Sequence, residues 1–204
     1  MNKKWNKMSL SEKKTEAIWI AGNLFSRNKT SGSSANLSFA HKDRIYITGS
    51  GTCFGKLAED DFSEIDLNGN VFNGQKPSKE WPMHILFYKN NKEVQSVLHV
   101  HSFYSVLWSC VCDKTQKNVV PAITPYLQMK TGDIGAVEYY KPGSEELFEA
   151  VENVMDERLG YLLGNHGQIV GGKDLMTAFY SAEELEESCH IAWEIQKKGR
   201  VGTV

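Results

Sequence analysis

The chain lacks long apolar runs, a strong charge bias and paired cysteine motifs. No stretch approaches the ~20 consecutive apolar residues that a helix needs to cross a bilayer, and residues 1–5 carry no apolar signal core. We therefore expect a cytoplasmic protein with no membrane partner. The net charge of −2 gives no electrostatic footprint for nucleic acid, so no nucleic-acid partner is expected.

Cysteine is scarce, and its spacing fits neither a disulfide framework nor a paired Cys-x-x-Cys zinc motif. The four cysteines are Cys53, Cys110, Cys112 and Cys189. We predict that they are free buried thiols that act as small apolar side chains. Low-complexity linkers and internal repeats are also absent, and 204 residues with 41% hydrophobic content suit a full-sized core. These features predict a single domain over residues 1–204.

The first half of the chain predicts one helix and two hairpins. Ser9-x-x-Glu12 resembles a capping box and begins the helix. Strands at 36–39 and 44–48 flank a polar turn, and strands at 63–67 and 71–72 flank Asn68-Gly69, a dipeptide that suits the positive φ angles of a tight turn.

The second half predicts two helices around a short buried strand. Ser144 caps the first helix, and Gly160 is predicted just past its end. The strand is Tyr161-Leu162-Leu163, and the last helix runs from 174 to about 198. His190 lies on this last helix, where we predict a structural role.

The most informative motif is Leu98-His99-Val100-His101, which Gly164-Asn165-His166-Gly167 follows much later. Residues two apart on a strand point to the same face, so both rings of the pair can reach one metal ion, with His166 as a third ligand from a turn. His-x-His alone is a weak signal, because histidines are more often hydrogen-bonded core or surface residues. The apolar lead-in favours a metal, since two polar rings at the end of a buried strand are costly unless something binds them.

Two Gly- and Ser-rich segments, 31–36 and 48–52, offer backbone N–H groups and hydroxyls that suit a phosphate. Taken alone, each also has the composition of an ordinary turn. A third segment, 77–82, predicts a helix start at which Ser78 and Lys79 can hold a dianion. Glu80 can face the metal there, or it can be a simple partner of the helix dipole.

In this order and spacing, the segments 34–38, 47–51, 78–80, 99–101 and 165–167 resemble the class II aldolase and adducin-head family. The resemblance implies an α/β fold with a mainly antiparallel central sheet flanked by helices, and a homotetramer. It implies one Zn²⁺ per subunit, with Mn²⁺ or Co²⁺ as alternatives, and Glu80 as the catalytic acid/base. The implied metal ligands are His99, His101 and His166, and the implied phosphate-binding residues are Asn36, Ser50, Gly51, Ser78 and Lys79.

Within that family, segments 76–84, 124–126, 138–143 and 182–187 are similar to the branch of 3-oxo-tetronate 4-phosphate decarboxylases. Family aldolases often have Ser-Ser-Glu where this chain has Ser78-Lys79-Glu80. The alternatives are a sugar-phosphate aldolase, a 4-epimerase or a methylthioribulose-phosphate dehydratase. A non-catalytic adducin-like interaction module is a further alternative, against which the retained histidines and Glu80 argue.

The expected chemistry on such a phosphorylated sugar acid is decarboxylation. A 3-oxo acid with a 2-hydroxyl can chelate a metal, and loss of carbon dioxide then leaves an enediolate whose charge the metal stabilises. Protonation at carbon by Glu80 would give dihydroxyacetone phosphate. Tyr126 is the predicted second acid or substrate contact, with Tyr139 and Tyr140 as other candidates, although all three can equally be core or interface aromatics.

Overall fold

The computed structural model describes residues 8–198, and the centre of that part of the chain is a twisted sheet of eight strands in the order β4-β3-β2-β1-β5-β8-β7-β6. The strands are β1 Asn36–His41, β2 Arg44–Thr48, β3 Phe62–Ile65, β4 Val71–Asn73, β5 Ser96–Val100, β6 Ile134–Val137, β7 Gly160–Leu163 and β8 Gly167–Gly172. All neighbouring strands are antiparallel except β6 and β7, which pair in parallel. The expected mainly antiparallel sheet is therefore confirmed.

Helices cover both faces of the sheet. They are α1 Leu10–Ser26, α2 Trp81–Asn90, α3 Phe103–Val111, α4 Tyr126–Lys130, α5 Glu145–Val154 and α6 Leu175–Gln196, with short 3-10 turns at Phe54–Lys56 and Glu59–Asp61. Side chains of α1, α3, α4 and α6 form one apolar core with Leu98 and Val100 of β5, whereas α2 and α5 form another with Val97. Because successive strand residues point to opposite faces, His99 shares the α2 face with Val97.

Local signals in the first half are confirmed. Ser9 Oγ accepts from Glu12 N at 3.3 Å and Glu12 Oε2 accepts from Ser9 N at 2.7 Å, which completes the capping box of α1. The β1–β2 hairpin turns at Lys42 (φ 56°), and the β3–β4 hairpin turns at Gly69 (φ 81°). The positive φ is confined to Gly69 and does not extend to Asn68, and β3 ends at Ile65, two residues before the predicted strand end. A Cβ at Gly69 would also clash with the Trp81 ring. Glycine thus meets both the backbone and the packing requirement of that turn.

Two expectations for the second half and the cysteines need correction. The helix that Ser144 caps ends at Val154, and Gly160 instead begins β7, where a Cβ would lie 2.7 Å from the Ile134 side chain. The predicted role of Gly160 after a helix end is therefore wrong, because neighbouring side chains pack over this position and favour glycine there. All four cysteines are free, but only Cys112 and Cys189 are buried, while Cys110 is exposed on α3.

Among residues 8–198, no helix combines the length and the apolar character that crossing a membrane requires. Residues 1–5, which carry no apolar signal core, lie outside these described residues. The last helix ends at Gln196, two residues before the predicted boundary.

Candidate metal centre and anion pocket

Two neighbouring strands bring the three predicted metal ligands together. His99 lies in β5, His101 follows directly after that strand, and His166 lies in the turn between β7 and β8. Strands β5 and β8 pair antiparallel, with His99 opposite Ile169, so the end of β5 meets the start of β8. A Cβ at Gly167 would lie 2.5 Å from the Val100 carbonyl oxygen and 3.0 Å from the His101 ring. Glycine at this position therefore allows the turn to approach the ligand pair.

The three rings converge on one point. Their ligand nitrogens all lie within 4.8 Å of one another, and His99 Nε2 is 2.9 Å from His101 Nε2. His99 is fully buried, His166 is buried and His101 is half-buried. Three imidazole ligands from two adjacent strand ends, with one side left accessible, match the donor set of a catalytic zinc site.

The protonation of His99 is fixed by a backbone partner. Its Nδ1 lies 2.8 Å from the main-chain carbonyl oxygen of Gln168, which can only accept a hydrogen bond. Nδ1 therefore carries the proton, and the lone pair of Nε2 points into the cluster. Metal-binding histidines are commonly oriented by such a partner on their other nitrogen.

Burial keeps the cluster neutral and leaves part of it unsatisfied. Desolvation lowers the pKa of His99 well below its ordinary value and lowers the pKa of His101, and for His166 burial together with His99 lowers the pKa to about 3. Both ring nitrogens of His166 are buried, and neither has a hydrogen-bond partner among residues 8–198. Neutral imidazoles with a buried, unpartnered nitrogen fit a bound metal cation.

Glu80 faces this cluster from the start of α2. It is buried, with Oε2 3.4 Å from His99 Nε2 and Oε1 3.5 Å from His166 Nε2. Although Glu80 occupies the N-cap position of α2, its side chain makes no capping hydrogen bond. Oε2 accepts instead from Asn36 Nδ2 at 2.9 Å. The carboxylate is therefore placed beside the histidines rather than committed to the helix end.

A cavity of about 270 Å³ joins the predicted anion-binding residues to the histidines. Its walls include Asn36, Ser50, Gly51, Ser78, Lys79, Glu80, His101 and His166, while His99 lies behind them. Two polar loops, at 48–52 and 76–79, are hydrogen-bonded to each other, because Ser50 N donates to Lys76 O at 2.8 Å and Ser78 N donates to Thr48 O at 3.0 Å. Hydroxyls, an ammonium group and two of the predicted metal ligands thus open onto one space, an arrangement that suits a small anion.

Other candidates lie away from this cavity. Tyr126 begins α4, is 58% exposed and does not line the cavity; Tyr139 and Tyr140 are also exposed and do not line it. The catalytic role of Tyr126 therefore stays a prediction. His190 lies on α6 with its ring stacked on Tyr104 at 3.8 Å between centroids, an arrangement that suits the predicted structural role.

Sequence reasoning missed His84. This fully buried residue of α2 bonds through Nε2 to Asn36 Oδ1 at 2.6 Å and through Nδ1 to Ser38 Oγ at 2.8 Å. The available signal was its spacing of four residues from Glu80, which places both side chains along one face at the start of a helix.

Comparisons with known proteins identify the family of this chain. A family model described as the Class II Aldolase and Adducin N-terminal domain matches residues 16–193. The chain is 34% identical to a 3-oxo-tetronate 4-phosphate decarboxylase of Haemophilus influenzae, over 88% of this chain and 86% of the relative. It is also 34% identical to an L-fuculose phosphate aldolase of Methanocaldococcus jannaschii, over 87% of this chain and 94% of that protein.

The fold has a close counterpart among solved structures. YgbL from Klebsiella pneumoniae superimposes with a TM-score of 0.90 at 32% identity, over 97% of this chain and 96% of that chain. The matched family is generally metal-dependent, and the histidine cluster described above can hold a metal. The chain belongs to the class II aldolase and adducin N-terminal domain family.

Proposed function

We propose that this protein is a metal-dependent decarboxylase that converts 3-oxo-tetronate 4-phosphate into dihydroxyacetone phosphate and carbon dioxide. The observation that carries the proposal is the single cavity in which His101, His166 and Glu80 meet the polar groups of Ser78 and Lys79. The names of similar proteins support the substrate, since relatives at 34–35% identity are 3-oxo-tetronate 4-phosphate decarboxylases.

The phosphate is the part of the substrate that the two polar loops would bind. Ser50 and Ser78 offer hydroxyls, and Lys79 offers a positive charge. The Nζ atom of Lys79 donates a hydrogen bond to the Pro142 carbonyl oxygen at 3.2 Å. Gly51 (φ 80°) adds a backbone segment without a side chain, which lets an anion approach closely. Charge-assisted hydrogen bonds of this kind hold a phosphate more strongly than neutral ones.

His99, His101 and His166 would hold the metal, for which we propose Zn²⁺ because neutral imidazoles suit it, although Mn²⁺ and Co²⁺ share these ligands. When bound, the metal would supply Lewis-acid stabilisation of the negative charge that develops on the substrate.

Glu80 has the position of a general acid/base. Decarboxylation breaks the bond between carbons 1 and 2, and the electron pair delocalises onto the carbon 3 oxygen to give an enediolate. Carbon 2 must then take a proton to form dihydroxyacetone phosphate. Glu80 is a buried carboxyl group on the cavity wall beside His166, so it can hold and deliver that proton directly or through water.

A sugar-phosphate aldolase is the second candidate. It is favoured by relatives at 34% and 37% identity that are L-fuculose phosphate aldolases. Retro-aldol cleavage of a ketose 1-phosphate leaves the same enediolate, so the same residues would serve. The decarboxylase is preferred because Lys79 stands where family aldolases often carry a serine. An epimerase or dehydratase has less support. A non-catalytic interaction module does not explain why three histidines converge beside Glu80.

The experiment is to incubate zinc-loaded protein with 3-oxo-tetronate 4-phosphate and to measure carbon dioxide and dihydroxyacetone phosphate together. We expect equal amounts of both, lost in His99→Ala and retained in His190→Ala, a histidine substitution outside the cluster. Neither product from metal-loaded protein would contradict the decarboxylase proposal, and cleavage of L-fuculose 1-phosphate would then favour the aldolase.

We also infer a homotetramer, as the family resemblance suggests. Multi-angle light scattering of the purified protein tests the assembly, with a mass of four chains of 23.0 kDa as the expected result. A monomeric mass would contradict it.

A further inference from the structure

A line of buried hydrogen bonds runs from Glu80 away from the cavity. Asn36 Nδ2 is 2.9 Å from Glu80 Oε2, and Asn36 Oδ1 is 2.6 Å from His84 Nε2. His84 Nδ1 is 2.8 Å from Ser38 Oγ, which lies 2.7 Å from the Tyr88 hydroxyl. Asn36, Ser38 and His84 are all buried. No other side chain described in residues 8–198 makes a hydrogen bond to the Glu80 carboxylate.

The donor and acceptor of each hydrogen bond in this line can be assigned from the chemistry of the groups. A carboxylate only accepts hydrogen bonds, so Asn36 must turn its amide nitrogen to Glu80 and its carbonyl oxygen to His84. His84 Nε2 must then donate, and burial lowers the pKa of His84 to about 3, so the ring is neutral and has one proton to give. Nδ1 consequently accepts from the Ser38 hydroxyl, which accepts in turn from Tyr88.

We propose that His84 is a positioning residue for Glu80, acting through Asn36. Its Nε2–H group fixes the Asn36 amide in the orientation that presents a donor, rather than an oxygen, to Glu80. Without that donor the amide can rotate by half a turn and place Oδ1 against the carboxylate, which repels it. The proposal rests on the proposed acid/base role of Glu80, although not on which lyase reaction the protein performs.

The test uses a reaction common to both candidate functions. An enzyme that protonates the enediolate also exchanges a hydroxymethyl proton of dihydroxyacetone phosphate with solvent, so deuterium uptake in D₂O reports proton transfer directly. We would measure kcat and KM of this exchange, by NMR, for metal-loaded wild type, His84→Leu and His84→Gln. Phe87→Leu is the matched control, since Phe87 is another buried side chain of α2 outside the hydrogen-bond line.

We expect His84→Leu to lower kcat by roughly 10–100-fold, because a displaced catalytic group loses about that much rate, while KM changes by less than about threefold. His84→Gln should recover most of the rate, since its amide can donate to Asn36. Phe87→Leu should keep kcat within about threefold of wild type, even where it lowers the melting temperature.

Wild-type kcat in His84→Leu would overturn the proposal, as would an equal loss in Phe87→Leu or no recovery in His84→Gln. Should His84→Leu fail to fold, His84→Asn replaces it, because asparagine is one methylene shorter than glutamine and cannot donate to Asn36 in the same way. Absence of exchange by wild type would also overturn it. Exchange without decarboxylation of 3-oxo-tetronate 4-phosphate would contradict only the proposed function.

Discussion

The histidine cluster and the loops proposed to bind the phosphate meet at one cavity, but the fold holds them in different ways. His99 lies in β5, which is hydrogen-bonded to β1 on one side and to β8 on the other. Ser50, Gly51 and Lys79 lie on exposed loops tied to each other by a few backbone hydrogen bonds. The first region is fixed by the pairing of the central strands, and the second by local turns.

The residues proposed for catalysis and those proposed for substrate binding therefore depend on different parts of the fold. A change in the central strands disturbs several ladder hydrogen bonds and buried contacts at once, so the cluster resists alteration. A change in the loops alters which groups face the substrate while the sheet stays intact. Relatives of equal identity that are decarboxylases in one case and aldolases in another fit such a division.

Glu80 stands between the two regions, and its removal should have the largest effect. Glu80→Gln keeps the size of the side chain but cannot transfer the proton, so we expect kcat to fall by about 10²–10⁴-fold. Metal content, measured by elemental analysis of the purified variant, should stay unchanged because Glu80 is not among the proposed ligands. A parallel loss of metal would show that Glu80 belongs to the cluster instead.

Gly167→Ala tests how firmly the central strands hold the cluster. The added Cβ would meet the Val100 carbonyl and the His101 ring, so that ring must shift. We expect metal affinity to fall by roughly 10–100-fold, the range found when the support of a ligand is disturbed. Competition with a chromophoric chelator measures it. Gly22→Ala is the matched control, since a Cβ at Gly22 meets nothing within 4 Å.

Lys79→Met tests the loop region. Methionine keeps the length of the side chain and removes its charge, so we expect KM for the phosphorylated substrate to rise by about tenfold. Metal affinity and kcat should change little, in contrast to Gly167→Ala. A fall in kcat at constant KM would instead indicate that Lys79 acts on the reacting carbons and not on the phosphate.

The smallest effect concerns stability. Folded His84 stays neutral down to a pKa of about 3, whereas the unfolded imidazole binds a proton below about 6.5. The unfolded state then binds more protons, so stability falls as the pH drops from about 6.5 towards 3. Glutamine does not titrate, so His84→Gln should lose less melting temperature than wild type between about pH 7 and pH 5. An equal loss of melting temperature in wild type and His84→Gln would indicate that the His84 ring is in contact with water.

Much of the fold and site follows from short sequence patterns. The two hairpins follow from turn residues between apolar strands, and the two-residue spacing of His99 and His101 predicts a shared face. These signals are local, because each depends on the geometry of a single turn or strand.

Long-range features could not be predicted in the same way. The parallel pairing of β6 with β7 depends on the crossover through α5, and it gives Gly160 a packing role that a helix-end interpretation misses. The spacing of His84 from Glu80 indicates a shared helix face, but its bond to Asn36 of β1 depends on packing between distant segments. The exposure of Cys110 and the position of Tyr126 outside the cavity likewise depend on how the α3 and α4 helices pack.

The partner that orients His99 is a main-chain carbonyl, and every amino acid brings the same oxygen to that position. Substitution of Gln168 can remove the bonds of its side chain to Ser102 and Ala182, but it leaves that acceptor in place. A single substitution of Gln168 therefore leaves the hydrogen-bond acceptor of His99 in place. For protein engineering, the loops around Ser50 and Lys79 are therefore the place where we expect substitutions to alter substrate preference while the histidine cluster stays unchanged.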